Sequence, residues 1–264
     1  MEPQGIAVVT GASRGFGRAI AIELARSGFD VVATMRDPAA GAGLREAVRD
    51  GSGTITVMRL DVTAPETITL PDGLRVLVNN AGTEREYLPV EAVPMQDWRD
   101  VFETNLFGLI EVTRRAIPIM RAGGGGVICN ITSASIAMSV PFYSVYRASK
   151  AAVQTMGETL RAEVGQFGIR VVEILPGPVD TDMLASSARR PEAAGCPGYE
   201  SMAQAMHEGR SAVEQSITPP ATAAAAVCEA ILADDGPLRW SCDRLGGQLL
   251  AGWQADPDGF LGAR

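Results

Sequence analysis

The stretch VVTGASRGFGRAIAIELARSG, from Val8 to Gly28, joins a short β-branched run to an amphipathic helical pattern. The turn between them holds three glycines, Gly11, Gly15 and Gly17. Glycine lets the chain turn sharply and brings the backbone close to a ligand, and free N–H groups at the start of a helix attract anions. The stretch therefore predicts a strand–turn–helix unit with an anion-binding loop.

Outward from this unit, short β-branched runs alternate with longer helical patterns. The predicted strands cover residues 5–10, 30–35, 54–60, 74–80, 126–132 and 169–176. The predicted helices cover residues 15–27, 39–50, 96–121 and 145–167. The strand runs are apolar on consecutive residues, as in strands buried on both faces. This alternation predicts an α/β fold, a single domain over residues 1–264 with a doubly wound parallel sheet.

The C-terminal third of the chain is less regular. Residues 182–217 mix Gly, Pro, Ala and Met with weak periodicity, so we expect an insertion of short helices that forms a small helical lid. A helix is predicted over residues 219–233, and PLRWSC, residues 237–242, is a possible edge strand. The end of the chain, from about residue 250, is rich in Gly, Asp and Pro and is expected to be irregular.

Charge and cysteine content narrow the classes of partner. A formal net charge of −8 argues against nucleic acid or an anionic membrane, which both reward dense Lys/Arg clusters. The four cysteines are scattered, no signal-peptide pattern opens the chain, and its apolar runs are too short for a bilayer. We therefore expect a cytoplasmic protein with free thiols. The single histidine, His207, has no Cys or carboxylate cluster at ligand spacing, so no metal site is expected.

The loop TGASRGFG, residues 10–17, resembles the TGxxxGxG cofactor motif of the short-chain dehydrogenase/reductase family, which has a Rossmann-like fold. LDV at 60–62 resembles the family's adenine-contacting turn, and NNAG at 79–82 resembles the motif that closes its fourth strand. Two prolines interrupt the short segment between these motifs, so we expect a shortened crossover helix there. The resemblance implies that a nicotinamide dinucleotide contacts Gly11, Ser13, Arg14, Gly15, Phe16, Gly17, Arg36, Asp61, Val62, Asn80, Ala81, Gly82, Tyr146, Lys150, Pro176, Gly177, Val179 and Thr181.

The end of the second predicted strand bears on which dinucleotide is bound. NAD-binding proteins tend to place Asp or Glu there to hold the ribose 2′-hydroxyl, whereas this chain has Met35 followed by Arg36. Arg14 in the glycine loop is a second cation, and two guanidinium groups suit a 2′-phosphate. We therefore expect NADP(H). The alternative is that both arginines face solvent and Asp37 accepts the ribose hydroxyls.

The stretch FYSVYRASK, residues 142–150, holds two candidate acids. Tyr143 stands four residues before Arg147, and Tyr146 stands four residues before Lys150, so either phenol could lie beside a cation on a helix. Spacing alone does not choose between them. YRASK resembles the family's YxxxK motif, which implies that Tyr146 is the proton donor and acceptor. Lys150 is then its activator, and its ammonium together with a cationic nicotinamide ring is expected to lower the phenol pKa from about 10.

The resemblance implies two further catalytic residues. Ser133, in CNITSAS, stands thirteen residues before the YxxxK tyrosine and matches the family's catalytic serine, with Ser135 as a weaker rival. Counting back from Tyr143 instead reaches Asn130, which lies inside a strand and carries no hydroxyl. Asn105, in ETNLFG, resembles the asparagine that holds a water between the lysine and solvent.

Substrate recognition is expected on the loop 134–142 and on the insertion 182–217. LPGPVDTDM, residues 175–183, resembles the family's PG motif, which implies that the Val179 backbone contacts the nicotinamide carboxamide. Flexible methionines suit bulky or varied apolar ligands, although these side chains could also serve only to pack the lid. The residues expected to line the substrate pocket are Ser135, Met138, Phe142, Tyr143, Met183, Met202 and Met206.

Together these motifs predict an NADPH-dependent carbonyl reductase, reversible as an alcohol dehydrogenase, for a moderately large apolar ketone or aldehyde. The resemblance also implies a homodimer or homotetramer, assembled through the long helices at 96–121 and 145–167. Two alternatives stay open. One is an NAD-linked alcohol or steroid-type dehydrogenase, and the other is an NADP-binding regulator that does not catalyse.

Overall fold

A seven-stranded sheet forms the centre of the protein. The computed structural model describes residues 1–48, 53–186 and 191–257. The strands are β1 (Ile6–Val9), β2 (Asp30–Met35), β3 (Thr54–Arg59), β4 (Leu74–Asn79), β5 (Gly126–Ile131), β6 (Ile169–Ile174) and β7 (Arg239–Trp240). Their order is β3-β2-β1-β4-β5-β6-β7, and all six pairings are parallel. The predicted α/β fold class with a doubly wound, Rossmann-like parallel sheet is confirmed, and the predicted edge strand is β7.

The strand order reverses between β1 and β4, and in such sheets ligands bind outside the carboxyl ends of the strands at this point. The loops that follow β1, β4 and β5 carry the glycine loop, NNAG and Ser133, respectively. The topology therefore brings the three motif segments to one edge of the sheet.

Helices cover both faces of the sheet. They are α1 (Gly15–Ser27), α2 (Met95–Phe102), α3 (Gly108–Ala122), α4 (Ser144–Val164), α5 (Asp182–Ser186), α6 (Glu200–Glu214), α7 (Pro220–Leu232) and α8 (Arg244–Ala255). A π-helical turn, Glu103–Phe107, joins α2 to α3, so the predicted helix 96–121 is one continuous rod with a wider turn inside it. The segment between Asp61 and β4 contains only a short 3-10 turn, Pro65–Thr67. This agrees with the shortened crossover helix that the sequence predicts.

The predicted helix over residues 39–50 is wrong for the part that the structure describes. Residues 38–48 form two short 3-10 turns, Pro38–Gly41 and Glu46–Val48. Gly43 adopts φ +76°, in the left-handed region that ends helices. Gly41 lies so close to β3 that a β-carbon there would stand 2.8 Å from Val57 Cγ1. Close packing against β3 and the glycine turn together prevent a longer helix.

The expectation of an irregular C-terminal end is also wrong over residues 250–255, which belong to α8. Asp243 begins this helix, because its side chain accepts a hydrogen bond from Gly246 N. Leu250 anchors the helix through a buried side chain. The sequence contains the capping aspartate and the apolar spacing of this helix, but the neighbouring glycines favour a prediction of irregular structure.

Two apolar cores lie on opposite faces of the sheet. On one face, Ala7 and Val9 of β1 pack in a cluster with side chains of α1 and α7. On the other face, Val8 packs in a cluster with side chains of α3 and α4. Successive residues of one strand thus enter different cores, which explains why the strand sequences are apolar without alternation.

A row of polar side chains crosses the second face of the sheet. Asn79, Asn130, Glu173 and Arg239 occupy register-matched positions on β4, β5, β6 and β7. Asn79 Nδ2 donates to Asn130 Oδ1 and to Thr113 Oγ1 of α3, both at 2.9 Å. This row holds the strands in register just behind the carboxyl edge of the sheet.

Glu173 is the buried carboxylate of this row. Its side chain is fully buried, and Arg239 Nε lies 3.4 Å from its Oε2. Gly157 of α4 leaves it space, because a β-carbon there would overlap with Glu173 Oε1. Burial raises the pKa of Glu173 to about 8, although the charge of Arg239 opposes the shift.

Candidate active site

The glycine loop after β1 fits tightly against the end of β4. Gly11 adopts φ +66°, and a β-carbon there would stand 2.9 Å from Ala81 Cα. A β-carbon at Gly17 would stand 2.5 Å from Gly11 O. Arg14 begins α1 without a side-chain cap, so the first N–H groups of the helix are not covered by a capping side chain. This is the geometry that a pyrophosphate needs at a helix start.

Hydrogen bonds tie the NNAG segment to the same loop. Thr10 Oγ1 accepts from Asn80 N and from Ala81 N, both at 3.0 Å. Asn80 Nδ2 donates to Thr10 O at 2.9 Å and to Gly11 O at 3.2 Å. The Asn80 side chain therefore supports the glycine loop. The Phe16 side chain packs against the core beneath the loop, while Ser13 stays partly exposed.

The residues expected near the adenosine lie at the ends of β2 and β3. Arg36 is exposed beside the buried Met35. Asp37 caps a 3-10 turn, with Oδ1 accepting from Ala39 N at 3.0 Å. The other carboxylate oxygen of Asp37 could accept a hydrogen bond from a ribose hydroxyl. The geometry is therefore compatible with NADP(H) and with NAD(H).

Asp61 and Arg14 each have a partner that the sequence did not suggest. Asp61 Oδ1 accepts from Thr63 N at 3.0 Å and from Thr63 Oγ1 at 2.8 Å, while the neighbouring Val62 is buried. Arg14 Nη1 lies 3.2 Å from Asp182 Oδ2 at the start of α5, with both side chains exposed. An exposed pair of this kind contributes little stability, so Arg14 can exchange its partner for a ligand anion.

The structure brings the four predicted catalytic residues together. The Ser133 hydroxyl and the Tyr146 phenol form a hydrogen bond. Lys150 is buried, donates from Nζ to Ile131 O at 2.8 Å and lies 5.8 Å from the centre of the Tyr146 ring. A β-carbon at Gly82 would stand 3.5 Å from both Lys150 Nζ and Asn105 Oδ1, so both side chains lie next to Gly82.

Asn105 lies in the π-helical turn and is fully buried. Its amide bonds to both backbone groups of Thr83, with Oδ1 accepting from N at 2.8 Å and Nδ2 donating to O at 2.9 Å. Nδ2 also donates to Ser149 Oγ at 3.0 Å, beside Lys150 on α4. Asn105 therefore fastens the segment after NNAG to the helix that carries the tyrosine.

Burial changes the acid–base properties of the predicted pair. Burial raises the pKa of Tyr146, the negative charge of Glu84 adds to the rise, and the hydrogen bond from Ser133 opposes it. Burial lowers the pKa of Lys150 to about 8. Loss of solvation on burial is therefore the largest influence on the pKa of both groups. Tyr146 is a neutral phenol at neutral pH, the form in which it can donate a proton.

Tyr143 and Arg147, the second tyrosine–cation pair, do not form a corresponding unit. Arg147 Nε donates to Ser135 O at 2.7 Å, which holds the loop after Ser133. Tyr143 donates to Tyr87 Oη at 3.1 Å, and the two rings stack with centroids 4.5 Å apart.

The PG turn lies on the other side of the predicted site. Pro176 O accepts from Ala134 N at 2.8 Å, next to Ser133. Val179 is buried, its N–H donates to Gly177 O at 3.1 Å, and Thr181 lies against Gly15 of the glycine loop. The turn therefore connects the loop that carries the serine with the start of α1.

Aromatic side chains form a wall beside the tyrosine. Phe142 is buried at φ +67°, a backbone conformation that is strained for a bulky residue and that typically occurs at functional sites. Its ring contacts Tyr199 edge-on at 6.1 Å. Met206 of α6 packs in the same cluster, together with Tyr87 and Tyr143.

Among the other residues expected to line the pocket, two methionines are exposed to solvent. Met183 and Met202 are exposed, at 38% and 49%, and neither belongs to the aromatic cluster. Met138 is half-buried, and Ser135 Oγ lies 2.9 Å from Ser133 Oγ. Residues 187–190 of the predicted lid lie outside the described residues.

Sequence reasoning missed several residues of the site. Tyr87 joins the loop after NNAG to the insertion, because its N–H donates to Glu192 Oε2 at 3.0 Å and its carbonyl accepts from Ala193 N at 3.1 Å. Glu84 bonds to the Tyr87 phenol. Acidic and aromatic residues directly follow NNAG in the sequence, but the partners of Tyr87 in the insertion lie more than a hundred residues away in the chain.

No metal site or bilayer-spanning helix occurs in the part of the chain that the structure describes. Across residues 1–48, 53–186 and 191–257, no three His, Cys, Asp or Glu side chains converge as a metal would require. His207 is exposed on α6. Within those ranges, no helix combines the length and apolarity needed to cross a membrane.

The sequence relatives are oxidoreductases. The family model of the short chain dehydrogenases matches residues 5–192. The uncharacterized oxidoreductase YusZ of Bacillus subtilis (strain 168) is 41% identical over 191 residues, 69% of this chain and 68% of that protein. Estradiol 17-beta-dehydrogenase 2 of Rattus norvegicus is 33% identical over 189 residues, which span 68% of this chain but only 49% of the relative.

Solved structures with the same fold include complexes with either dinucleotide. A short chain dehydrogenase from Burkholderia cenocepacia J2315 in complex with NADP superposes with a TM-score of 0.75 at 26% identity, covering 98% of this chain and 97% of that one. A 7α-hydroxysteroid dehydrogenase complexed with NADH and 7-oxo-glycochenodeoxycholic acid gives a TM-score of 0.63 at 32% identity, covering 69% and 73%. By its family-model match, its 41% identical relative and its fold, the chain belongs to the short-chain dehydrogenase family of oxidoreductases.

Proposed function

We propose that the protein is an NADP(H)-dependent carbonyl reductase, reversible as an alcohol dehydrogenase, for a moderately large and largely apolar ketone or aldehyde. The observation that carries this proposal is the hydrogen bond between Ser133 and the buried, neutral Tyr146 beside Lys150. A carbonyl reduction needs a proton donor and a polarising hydrogen bond at one oxygen, and this arrangement supplies both.

The residues around the glycine loop fit a dinucleotide. Gly11 and Gly17 leave no room for side chains, and the uncapped start of α1 offers N–H groups to a pyrophosphate. The exposed cations Arg14 and Arg36 suit a 2′-phosphate, and Asn80, Gly82, Val179 and Thr181 complete the surface along which the nucleotide would extend. When bound, NADPH supplies the hydride that the carbonyl carbon accepts.

The chain's own residues handle the proton. Tyr146 transfers its phenolic proton to the carbonyl oxygen as negative charge develops there, and Ser133 donates a hydrogen bond to the same oxygen. The ammonium of Lys150 stabilises the phenolate that remains after the transfer. Lys150 and Asn105, which flank Gly82, then connect the phenolate with solvent protons.

The aromatic cluster supports an apolar substrate. Tyr143 meets the Tyr146 ring edge-on and packs in a cluster with Phe142, Tyr199 and Met206. Residues 182–217 are proposed as a lid over this pocket within a single domain. A steroid-active relative and a steroid-bound structural neighbour are consistent with a bulky apolar substrate. The exposed surface of α3 and α4 is the proposed contact for a homodimer or homotetramer, which light scattering after size-exclusion chromatography tests.

Cofactor titration tests the nucleotide part of the proposal. We expect NADPH to bind at least about tenfold more tightly than NADH, because only NADPH carries the phosphate that the two arginines can pair with. Arg36→Ala should remove most of this preference, whereas Arg121→Ala, an exposed arginine at the end of α3, should not. NADH binding tenfold tighter than NADPH would overturn the assignment.

An NAD-linked alcohol or steroid-type dehydrogenase is the second candidate. Asp37 at the end of β2 favours it, because one carboxylate oxygen is not used by the turn that Asp37 caps. Asp37→Asn would then weaken NADH binding. A panel of carbonyl substrates separates both enzymes from a regulator, since NADPH that binds without any carbonyl-dependent oxidation would favour the regulator.

A further inference from the structure

The peptide between Pro176 and Gly177 is held at both of its polar atoms. Its carbonyl accepts a hydrogen bond from Ala134 N at 2.8 Å. Its N–H donates to Asp243 Oδ2 at 2.6 Å. One peptide plane at the PG turn is therefore fixed between the loop that carries Ser133 and a residue that lies 66 positions farther along the chain.

Asp243 uses both oxygens of its carboxylate. Oδ2 accepts from Gly177 N, and Oδ1 accepts from Gly246 N at 2.7 Å, which caps α8. The Cys242 thiol lies 3.8 Å from Oδ2, and burial raises the pKa of this thiol, so it stays a protonated donor. A carboxylate can accept on two sides at once, whereas an amide has one acceptor oxygen and a hydroxyl is too short to reach both donors.

The contact between α8 and the PG turn is closely packed. A β-carbon at Gly177 would stand 2.5 Å from Asp243 Oδ1 and 3.0 Å from Gly246 N. A β-carbon at Gly246 would stand 2.8 Å from Leu175 O. Glycines thus occupy both facing positions, which brings the first turn of α8 directly onto the end of β6.

This contact continues into the catalytic residues. Ala134, which bonds to Pro176 O, follows Ser133, and the Ser133 hydroxyl bonds to Tyr146. A rotation of the Pro176–Gly177 peptide would therefore break the bond to Ala134 and release the serine loop on one side. On the other side it would move Val179, whose N–H bonds to Gly177 O.

We propose that Asp243 is a positioning residue of the active site, which holds the Pro176–Gly177 peptide so that Ser133 faces Tyr146 and Val179 faces the nicotinamide. The inference rests on the proposed function and goes beyond it, because Asp243 lies outside residues 5–192, the part of the chain that the family model matches. The C-terminal helix is then a component of the catalytic site rather than a cover for the core.

The test compares Asp243→Ser with Leu250→Ala. Serine caps helices as well as aspartate does, so Asp243→Ser keeps α8 but loses the bond to Gly177. Leu250→Ala removes a buried side chain of α8 and leaves the Asp243 contacts in place. We expect Asp243→Ser to speed amide exchange at Gly177 in the unliganded protein at least about tenfold. We also expect it to lower kcat/KM for carbonyl reduction about 10- to 100-fold, as small displacements at reacting groups do.

Leu250→Ala should lower Tm while leaving Gly177 exchange and kcat/KM close to wild type. Asp243→Asn, which keeps one acceptor oxygen, should fall between wild type and Asp243→Ser in both readouts. Wild-type exchange at Gly177 in Asp243→Ser would overturn the inference, and so would an equal kinetic loss in Leu250→Ala. If the wild-type protein reduces no carbonyl, the proposed function fails, and the exchange measurement still decides the role of Asp243.

Discussion

Two tyrosines three residues apart at the start of α4 differ in what surrounds their phenols. Tyr146 bonds to Ser133, whereas Tyr143 bonds to Tyr87 and meets the Tyr146 ring edge-on at 6.3 Å. The cation that follows Tyr143, Arg147, turns to the loop carbonyls instead. The chemistry available to each tyrosine therefore depends on its neighbours across the fold and not on the spacing within the helix.

Replacing each tyrosine by phenylalanine separates their roles. Tyr146→Phe removes the proton donor, so kcat should fall by about 10²- to 10⁴-fold while the Kd for NADPH stays within about twofold. Tyr143→Phe breaks the bond to Tyr87 and leaves the Tyr146 phenol in place, so it should raise the KM for the carbonyl a few-fold with little change in kcat. Steady-state kinetics and fluorescence titration measure both. Equal losses of kcat would contradict the assignment.

The lowered pKa of Lys150 predicts a pH limit for the reaction. An exposed lysine stays charged to pH 10, but burial lowers the pKa of Lys150 to about 8, so the ammonium is lost as pH rises past that value. If the ammonium is required, kcat/KM for NADPH, which reports ionisations of the free enzyme, should fall about tenfold per pH unit above pH 8. A profile that stays flat to pH 10 would exclude this role.

At the scale of the element, the start of α1 depends on glycines that have no room for side chains. Gly17→Ala would place a β-carbon 2.5 Å from Gly11 O and in overlap with the Asn80 amide. We expect a loss of about 1–3 kcal/mol in the free energy of unfolding and a loss of NADPH binding, measured by thermal denaturation and titration.

Gly165→Ala is the matched control for this change. Gly165 follows α4 at φ −56°, and no heavy atom lies within 4 Å of a β-carbon placed there. This substitution should leave NADPH binding unchanged and the free energy of unfolding within about 1 kcal/mol of wild type. Tight nucleotide binding by Gly17→Ala would show that the loop is not the pyrophosphate site.

At the scale of the whole molecule, the buried Glu173 makes stability depend on pH. Its pKa is about 8 in the folded protein and near 4.3 in an unfolded chain, so folding takes up a proton between these values. Its contribution is therefore fully present below about pH 4 and is lost as the pH rises through 8.

Glu173→Gln should remove this dependence. The variant should gain stability relative to wild type by up to about 1.4 kcal/mol per pH unit between pH 5 and 8, because its neutral amide has no charge to bury. Denaturant unfolding at several pH values measures the difference. A difference that is constant across this range would mean that Glu173 does not titrate there.

Much of the site could be predicted because its residues belong to local patterns. TGASRGFG, NNAG and YRASK each lie beside a strand or within one helix, and spacing along the chain places them at the carboxyl edge of a parallel sheet. Asp243, Tyr87 and Glu192 could not be found this way. Asp243 bonds to a partner 66 residues away, and Tyr87 and Glu192 bond to each other across 105 residues, so chain spacing carries no information about these contacts.

The order of the strands and the position of the glycine loop follow from the sequence, because backbone preference and burial pattern act over a few residues, whereas the choice of Tyr146 and Lys150 rests on the resemblance of YRASK to a family motif. The interactions among those residues depend on the tertiary structure. It buries Tyr146 and Lys150 together, so loss of solvation raises the pKa of the phenol and lowers the pKa of the ammonium, and it places Asp243 against the PG turn. Burial and long-range hydrogen bonding depend on the packed fold as a whole, and no short segment contains them.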